Sequence, residues 1–240
     1  MRKWWNTYIK SLRKDIVILL IVDGLILLLM ELVLKKIPAP FPVFVTLGNF
    51  TITLGVSFIA SFIFYFVQVH LPETKQKTNL YPGIATLYSR MLSTEKMFLT
   101  NYVGVKSYSE LTEDNILNGA KSREVSVENA PLVLAGLNRS ANWMEYGFNE
   151  VSDIDQTWEM IMKYSSYLDS ECLSILAKIQ SNSVLTFFRR MRGIYYAFPN
   201  GVNIHGFEQS YVELWRFIQV QEEYYNMVFA EYCFTGDKNR

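Results

Sequence analysis

Seven polar side chains are spaced along an otherwise apolar segment in the first third of the chain. They are Thr46, Asn49, Thr53, Ser57, Ser61, Tyr65 and Gln68. Their intervals of three and four residues place them on one side of a helix. Hydroxyl and amide groups on such a face can hydrogen-bond to another helix or to water, and the small pair Ser57 and Ser61 allows a close approach. The spacing therefore predicts a polar face on a membrane helix.

A carboxyl group lies inside the preceding apolar run, because Asp23 falls within residues 16–34. An ionised carboxylate near the bilayer centre costs about 3 kcal/mol on insertion scales, so we expect Asp23 to turn toward protein or water and group it with the polar face as one candidate site. Two interpretations of the polar face stay open. The hydroxyls and Asn49 either hold helices together, within one hairpin or between copies, or line a hydrated pore or membrane-perturbing cluster of several hairpins. The second interpretation requires oligomerisation, since two helices cannot enclose a pathway.

Three arginines form the only dense basic cluster in the second half of the chain, in the run Phe187-Phe188-Arg189-Arg190-Met191-Arg192. Guanidinium groups suit phosphates, so the cluster is a candidate contact for anionic lipid, a nucleotide signal or nucleic acid in a partner complex. The alternative is a basic surface of an amphipathic helix. Neighbouring positions point in different directions around a helix, so at most two of these arginines can converge on one phosphate.

Signatures of catalysis are missing from the sequence. It contains no glycine-rich phosphate loop, GxSxG, HExxH or CxxC motif. Cys172 and Cys233 are far apart, and each lies in an apolar helical pattern, so we expect two free thiols and no metal site. The sequence therefore predicts neither an enzyme nor a cofactor.

Two apolar segments must position the polar face. Residues 16–34 and 43–69 are each long enough to span a bilayer, and the prolines between them predict a turn. Five basic residues precede the first segment, Lys35 and Lys36 lie in the turn, and Lys75 and Lys77 follow the second segment. This bias places both termini in the cytoplasm. We therefore predict a basic N-terminus at residues 1–14 and a transmembrane hairpin at residues 15–70.

Residues 71–240 have the composition of a water-soluble domain, with 16 basic and 20 acidic side chains and no strongly basic face. Apolar spacing predicts a helical bundle with an irregular segment at residues 104–136, where a short helix at 110–117 would begin at a Ser109 cap. Three further helices are predicted. The first is capped by Ser152 or Asp153 and has an apolar seam from Trp158 to Ile179, and the others cover 184–197 and 207–234. The predicted fold class is mainly α.

This arrangement resembles bacterial proteins in which a two-span hairpin with an aromatic exit leads into a helical cytosolic domain. The matching residues are Phe62-Ile63-Phe64-Tyr65-Phe66-Val67-Gln68-Val69-His70-Leu71-Pro72-Glu73 and, more loosely, residues 167–179. Some proteins of that class are membrane effectors of antiphage systems, including retrons. The resemblance implies an inner-membrane effector that oligomerises and perturbs the bilayer when a cytosolic protein or nucleoprotein, such as a reverse transcriptase with its RNA and DNA, engages its helical domain. The alternative function is a helical scaffold on a passive anchor.

Overall fold

The computed structural model describes residues 8, 12, 14–32, 41–124, 129–197 and 206–233. The chain divides into two compact units, Met1–Leu80 and Tyr81–Arg240. Helices dominate the described residues of both units, which confirms the predicted mainly α class.

The first unit contains helices α1 (Lys14–Leu32) and α2 (Pro42–Tyr65), followed by a π-helical turn at Phe66–His70. Proline at the start of α2 suits the first turn of a helix, where its missing N–H leaves no bond unmade. The two helices pack against each other. The prolines and lysines of the predicted turn between them lie outside the described residues.

One helix within the described residues, Val43–Val103, is long and apolar enough to cross a membrane by length and composition. Its apolar part coincides with the second predicted span. Helix α1 does not meet the same criterion, because Lys14, Asp15, Asp23 and Glu31 are charged. Residues 33 and 34 of the first predicted span lie outside the described part of the chain.

The second unit contains most of the helical elements. They are α3 (Leu71–Val103, which begins in the first unit), a 3₁₀ turn (Tyr108–Glu110), α4 (Glu113–Ser122), α5 (Trp143–Met162), a 3₁₀ turn (Ser165–Tyr167), α6 (Ser170–Ser181), α7 (Ser183–Ala197), α8 (Glu208–Val228) and α9 (Ala230–Cys233). A small antiparallel hairpin of β1 (Val133–Leu134) and β2 (Arg139–Ser140) precedes α5, with Val133 opposite Ser140.

Aromatic rings fill the core of this unit. Phe98 of α3 meets Phe188 of α7 edge to face at 5.6 Å between ring centroids. Tyr102 of α3 stacks on Tyr211 of α8 at 4.8 Å. Helix α5 comes close to α7 because Gly147 has no side chain, and a Cβ there would lie 2.1 Å from Phe188 Cε1. These contacts agree with the predicted helical bundle.

Local side-chain caps move two of the predicted helix boundaries. The helix expected to begin at Ser152 or Asp153 begins at Trp143, because Asn142 and Glu145 form a reciprocal capping box. The expected seam to Ile179 is divided between two helices, and Asp169 caps the second by accepting a hydrogen bond from Cys172 N.

The short helix expected at 110–117 is shifted toward the C-terminus. It covers Glu113–Ser122, because Thr112 rather than Ser109 provides the cap, with its Oγ1 accepting from Asn115 N at 3.2 Å. The helices predicted at 184–197 and 207–234 are confirmed as α7 and as α8 with α9, apart from residue 234, which lies outside the described residues.

Candidate functional site

The polar face of α2, defined as Asn49, Thr53, Ser57 and Ser61 together with Gln68 of the π-helical turn that continues the helix, is exposed at all five positions in the single chain. Contact with α1 uses the other side of the helix. Gly48 lies against Met30 of α1, and a Cβ on Gly55 would lie 2.8 Å from Leu27 Cδ2. At about 100° per residue, these glycines and the polar face lie on opposite sides of α2. Within one chain, the polar face does not hold α1 and α2 together.

Asp23 faces the glycine side of α2 rather than the polar face. A Cβ at Gly55 would lie 2.9 Å from Asp23 Oδ1, so glycine provides the space that the carboxyl group needs. The second carboxyl oxygen, Oδ2, is inaccessible to solvent and has no hydrogen-bond partner among the residues that the structure describes. The structure therefore does not bring Asp23 together with the polar residues with which the sequence grouped it.

The hydroxyl groups of Thr53 and Ser61 are satisfied by the helix itself. Thr53 Oγ1 donates to Asn49 O at 2.9 Å, and Ser61 Oγ donates to Ser57 O at 2.8 Å. Such bonds to the preceding turn require neither water nor a second helix. The carboxamides of Asn49 and Gln68 differ, since neither makes a hydrogen bond within the described part of the chain. Their unpaired amides are the groups that most need a partner in lipid.

Arg189 of the basic cluster is used to join three helices. Its Nη2 lies 2.6 Å from Asp155 Oδ1 of α5, and its Nε donates to Asp155 Oδ2 at 3.0 Å. Its Nη1 also donates to the carbonyl oxygen of Gln180 of α6 at 2.9 Å. These bonds occupy the guanidinium group, which favours the structural interpretation of Arg189.

Arg190 and Arg192 are both exposed, and they point in different directions around α7, as their spacing requires. Arg192 lines a cavity of about 530 Å³. The same cavity is lined by Glu145, Phe148, Asn149 and Ser152 of α5 and by residues 132–137 of the β-hairpin. The cluster therefore separates into one structural, one solvent-facing and one cavity-lining arginine.

A buried carboxyl group, Glu95 on α3, is the polar site that sequence reasoning missed. Gln221 of α8 donates from Nε2 to Glu95 Oε2 at 2.6 Å, while the Oε1 atoms of both residues have no hydrogen-bond partner in the described part of the chain. Burial raises the pKa of Glu95 to about 8, and the Gln221 hydrogen bond lowers it only in part. The sequence does contain a signal for this site: a glutamate stands at a core position, between Met91 and Phe98 on the apolar side of α3.

A second buried polar group joins α6 to α8. Tyr224 donates to the Asp169 carboxylate at 3.0 Å, and burial raises the pKa of its phenol well above the ordinary value. Burial likewise raises the pKa of the Cys172 thiol to about 11, which leaves it protonated and unreactive. The described residues contain no group of three or more His, Cys, Asp or Glu side chains placed to hold a metal ion.

Comparison with known proteins adds no family assignment: no family model matches the chain, and neither the curated proteins nor the solved structures contain a match.

Proposed function

We propose that this protein is a membrane effector whose helices α1 and α2 form a transmembrane hairpin and whose copies associate through the polar face of α2. The supporting observation is that α1 covers the glycine side of α2 and leaves the polar face uncovered. In a bilayer the unpaired amide of Asn49 then faces hydrocarbon unless another copy or water reaches it. Association of several hairpins through this face satisfies the amide.

The proposed arrangement places both termini in the cytoplasm of a bacterial cell, as the positive charges flanking the hairpin favour. A cytosolic protein or nucleoprotein engages the helical unit, and the clustered hairpins then permeabilise the inner membrane. This activity would serve an antiphage system by stopping growth of the infected cell.

Replacement of Asn49 by Leu tests this mechanism, because Leu has a similar volume but no hydrogen-bonding group. An interhelical hydrogen bond in a membrane contributes about 0.6–2 kcal/mol. The association constant of the variant should therefore fall roughly 3-fold to 30-fold for each bond lost. Association is measured by cross-linking in lipid vesicles over a range of protein-to-lipid ratios, and permeabilisation by a potential-sensitive dye in expressing cells.

Ile63→Leu is the matched control, since Ile63 is exposed and lies two residues after Ser61, about 160° away from it around α2 and therefore off the polar face. It should leave both association and depolarisation unchanged. A double change of Ser57 and Ser61 to Leu should reduce both, because the added bulk keeps a second helix at a distance. Normal depolarisation by stably inserted Asn49→Leu and double-Leu variants would rule out the polar-face mechanism.

A second candidate function is a helical scaffold on a passive anchor. The observation that favours it is the internal bonding of Thr53 and Ser61, because a hydroxyl satisfied by its own helix is tolerated against lipid. In that case an unrelated two-helix anchor fused to residues 71–240 would restore function fully. Under the effector proposal the same fusion is inactive, although it still binds the partner.

A further inference from the structure

The cavity beside Arg192 has two unlike walls. One is a face of α5 that presents Glu145, Phe148, Asn149 and Ser152, whose spacing of three, four and seven residues aligns them along the helix. The other is the β-hairpin at residues 132–137, where Val133 and Leu137 are 69% and 64% exposed. Arg192 enters from α7. The cavity therefore combines a polar wall, an apolar wall and one guanidinium group.

The two ionised groups that line the cavity differ in how they are paired. Glu145 accepts two hydrogen bonds from Arg139, at 2.7 and 2.9 Å, and these bonds lower the pKa of its carboxyl group. Arg192 has no hydrogen-bond or ion-pair partner among the residues that the structure describes. Because Arg139 neutralises Glu145, the uncompensated charge at the cavity is positive.

The donors along the polar wall are suited to an anion. A guanidinium group offers a planar pair of N–H donors that matches carboxylate and phosphate oxygens. The Ser152 hydroxyl adds a neutral donor from the same wall, and so does the Asn149 amide, one N–H of which donates to Glu150 Oε1 at 3.3 Å. An inorganic anion would leave the Val133 and Leu137 side chains exposed. The apolar body of an organic anion would cover them, and burial of apolar surface is favourable.

We propose that this cavity binds a small organic anion, with its carboxylate or phosphate at Arg192 and its apolar body against the β-hairpin. The volume of about 530 Å³ is in the range of sites for small molecules. This site lies entirely within the second unit, so the proposal does not depend on the membrane mechanism.

Binding of 1-naphthyl phosphate and 1-naphthoate to the full chain in lipid nanodiscs tests the proposal, with inorganic phosphate and empty nanodiscs measured in parallel. Isothermal titration calorimetry should give saturable binding of both naphthyl anions. Replacing Arg192 by Gln removes charge-assisted hydrogen bonds, which should weaken binding about tenfold or more. Arg190→Gln is the matched control, since Arg190 is exposed on the same helix and does not line the cavity.

A second variant tests the apolar wall independently of the charge. Leu137→Ser changes an exposed side chain and should not affect folding, but it should weaken both naphthyl anions several-fold. Inorganic phosphate binding as tightly as 1-naphthyl phosphate would overturn the assignment of an organic ligand. The whole proposal fails if neither naphthyl anion binds at millimolar concentration, or if Arg192→Gln binds them as well as the unmodified chain does.

Discussion

Replacing Glu95 by Gln isolates the energetic cost of an ionisable group in the core of the second unit. Glu95 is fully buried, and within the described ranges only one of its oxygens is hydrogen-bonded, to Gln221 of α8. Burial raises its pKa from the ordinary 4.5 to about 8. A neutral carboxyl group also has an O–H donor, which can satisfy one of the acceptors left unpaired here. The folded protein therefore keeps this proton at neutral pH.

This raised pKa makes stability decrease as the pH rises. The folded state binds the proton more tightly than the unfolded state, so the contribution of Glu95 is complete below about pH 4.5 and is lost as the pH rises to about 8. At about 1.4 kcal/mol per pH unit, the loss is about 3 kcal/mol at pH 7 and about 5 kcal/mol at pH 9. Glutamine does not titrate and keeps both a donor and an acceptor.

Glu95→Gln should therefore gain stability relative to the unmodified chain by about 3 kcal/mol between pH 4 and pH 7. For a chain of this size, the difference in Tm should widen by roughly 6–12 °C. Nearby charges do not change this expectation, because the Lys96–Glu222 ion pair at 2.6 Å is present in both proteins. Burial also raises the pKa of Tyr108 beyond this range, so its phenol stays neutral.

Thermal unfolding of the full chain in detergent, followed by tryptophan fluorescence from pH 4 to pH 9, measures the effect. Glu223→Gln is the control, because it removes an exposed carboxylate from the helix that carries Gln221. The difference between the control and the unmodified chain should stay constant across the range. A similarly constant difference for Glu95→Gln would refute the assignment of a buried, protonated carboxyl group.

Gly147→Ala, with Gly193→Ala as its control, and Arg123→Met test packing in the same unit by urea denaturation. Gly147→Ala should lower the free energy of unfolding by about 3 kcal/mol, because the new Cβ would lie 2.1 Å from the Phe188 ring, whereas Gly193→Ala, with open space around it, should be neutral or gain up to about 1 kcal/mol. Arg123→Met should cost about 2 kcal/mol, since the guanidinium lies 3.9 Å from the centroid of the Trp143 ring and donates from Nε to a backbone carbonyl at 2.8 Å.

Arg123→Lys separates charge from shape at this position. Lysine keeps the positive charge but lacks the planar group that stacks on the ring and reaches the carbonyl. It should therefore recover only part of the loss, and full recovery would show that charge alone matters. Equal losses for Gly147→Ala and Gly193→Ala would show that the close contact with Phe188 is not what requires glycine.

Apolar spacing was sufficient to predict the helical class and the positions of α7 and α8, because long amphipathic segments bury one side. It was not sufficient for α5 and α6, where single side chains decide the boundaries. Asn142 begins α5 and Asp169 begins α6, and each competes with other good capping residues nearby. A cap is identified by which backbone N–H its oxygen reaches, and spacing does not contain that information.

The basic cluster shows a similar limit. Sequence spacing established that three arginines on one helix cannot share a phosphate, but their partners come from distant parts of the chain. Arg189 is occupied by Asp155, 34 residues away, whereas Arg192 reaches a cavity formed with the β-hairpin. The first strand of the hairpin lies within residues 104–136, which were predicted to be irregular, and the second lies just after them, since two-residue strands have no periodicity to detect.

Glycine position, rather than polar spacing, determines which side of α2 meets α1. Gly48 and Gly55 are seven residues apart, two helical turns, and each leaves room for a side chain of α1. Hydropathy treats glycine as nearly neutral, so the prediction from the sequence rested on the hydroxyl-bearing residues and did not identify the glycine side as a helix contact. Both sides of α2 nevertheless suit close helix approach, one through missing side chains and the other through small polar ones. Because α1 takes the glycine side, the polar face is left for a contact that a single chain does not supply.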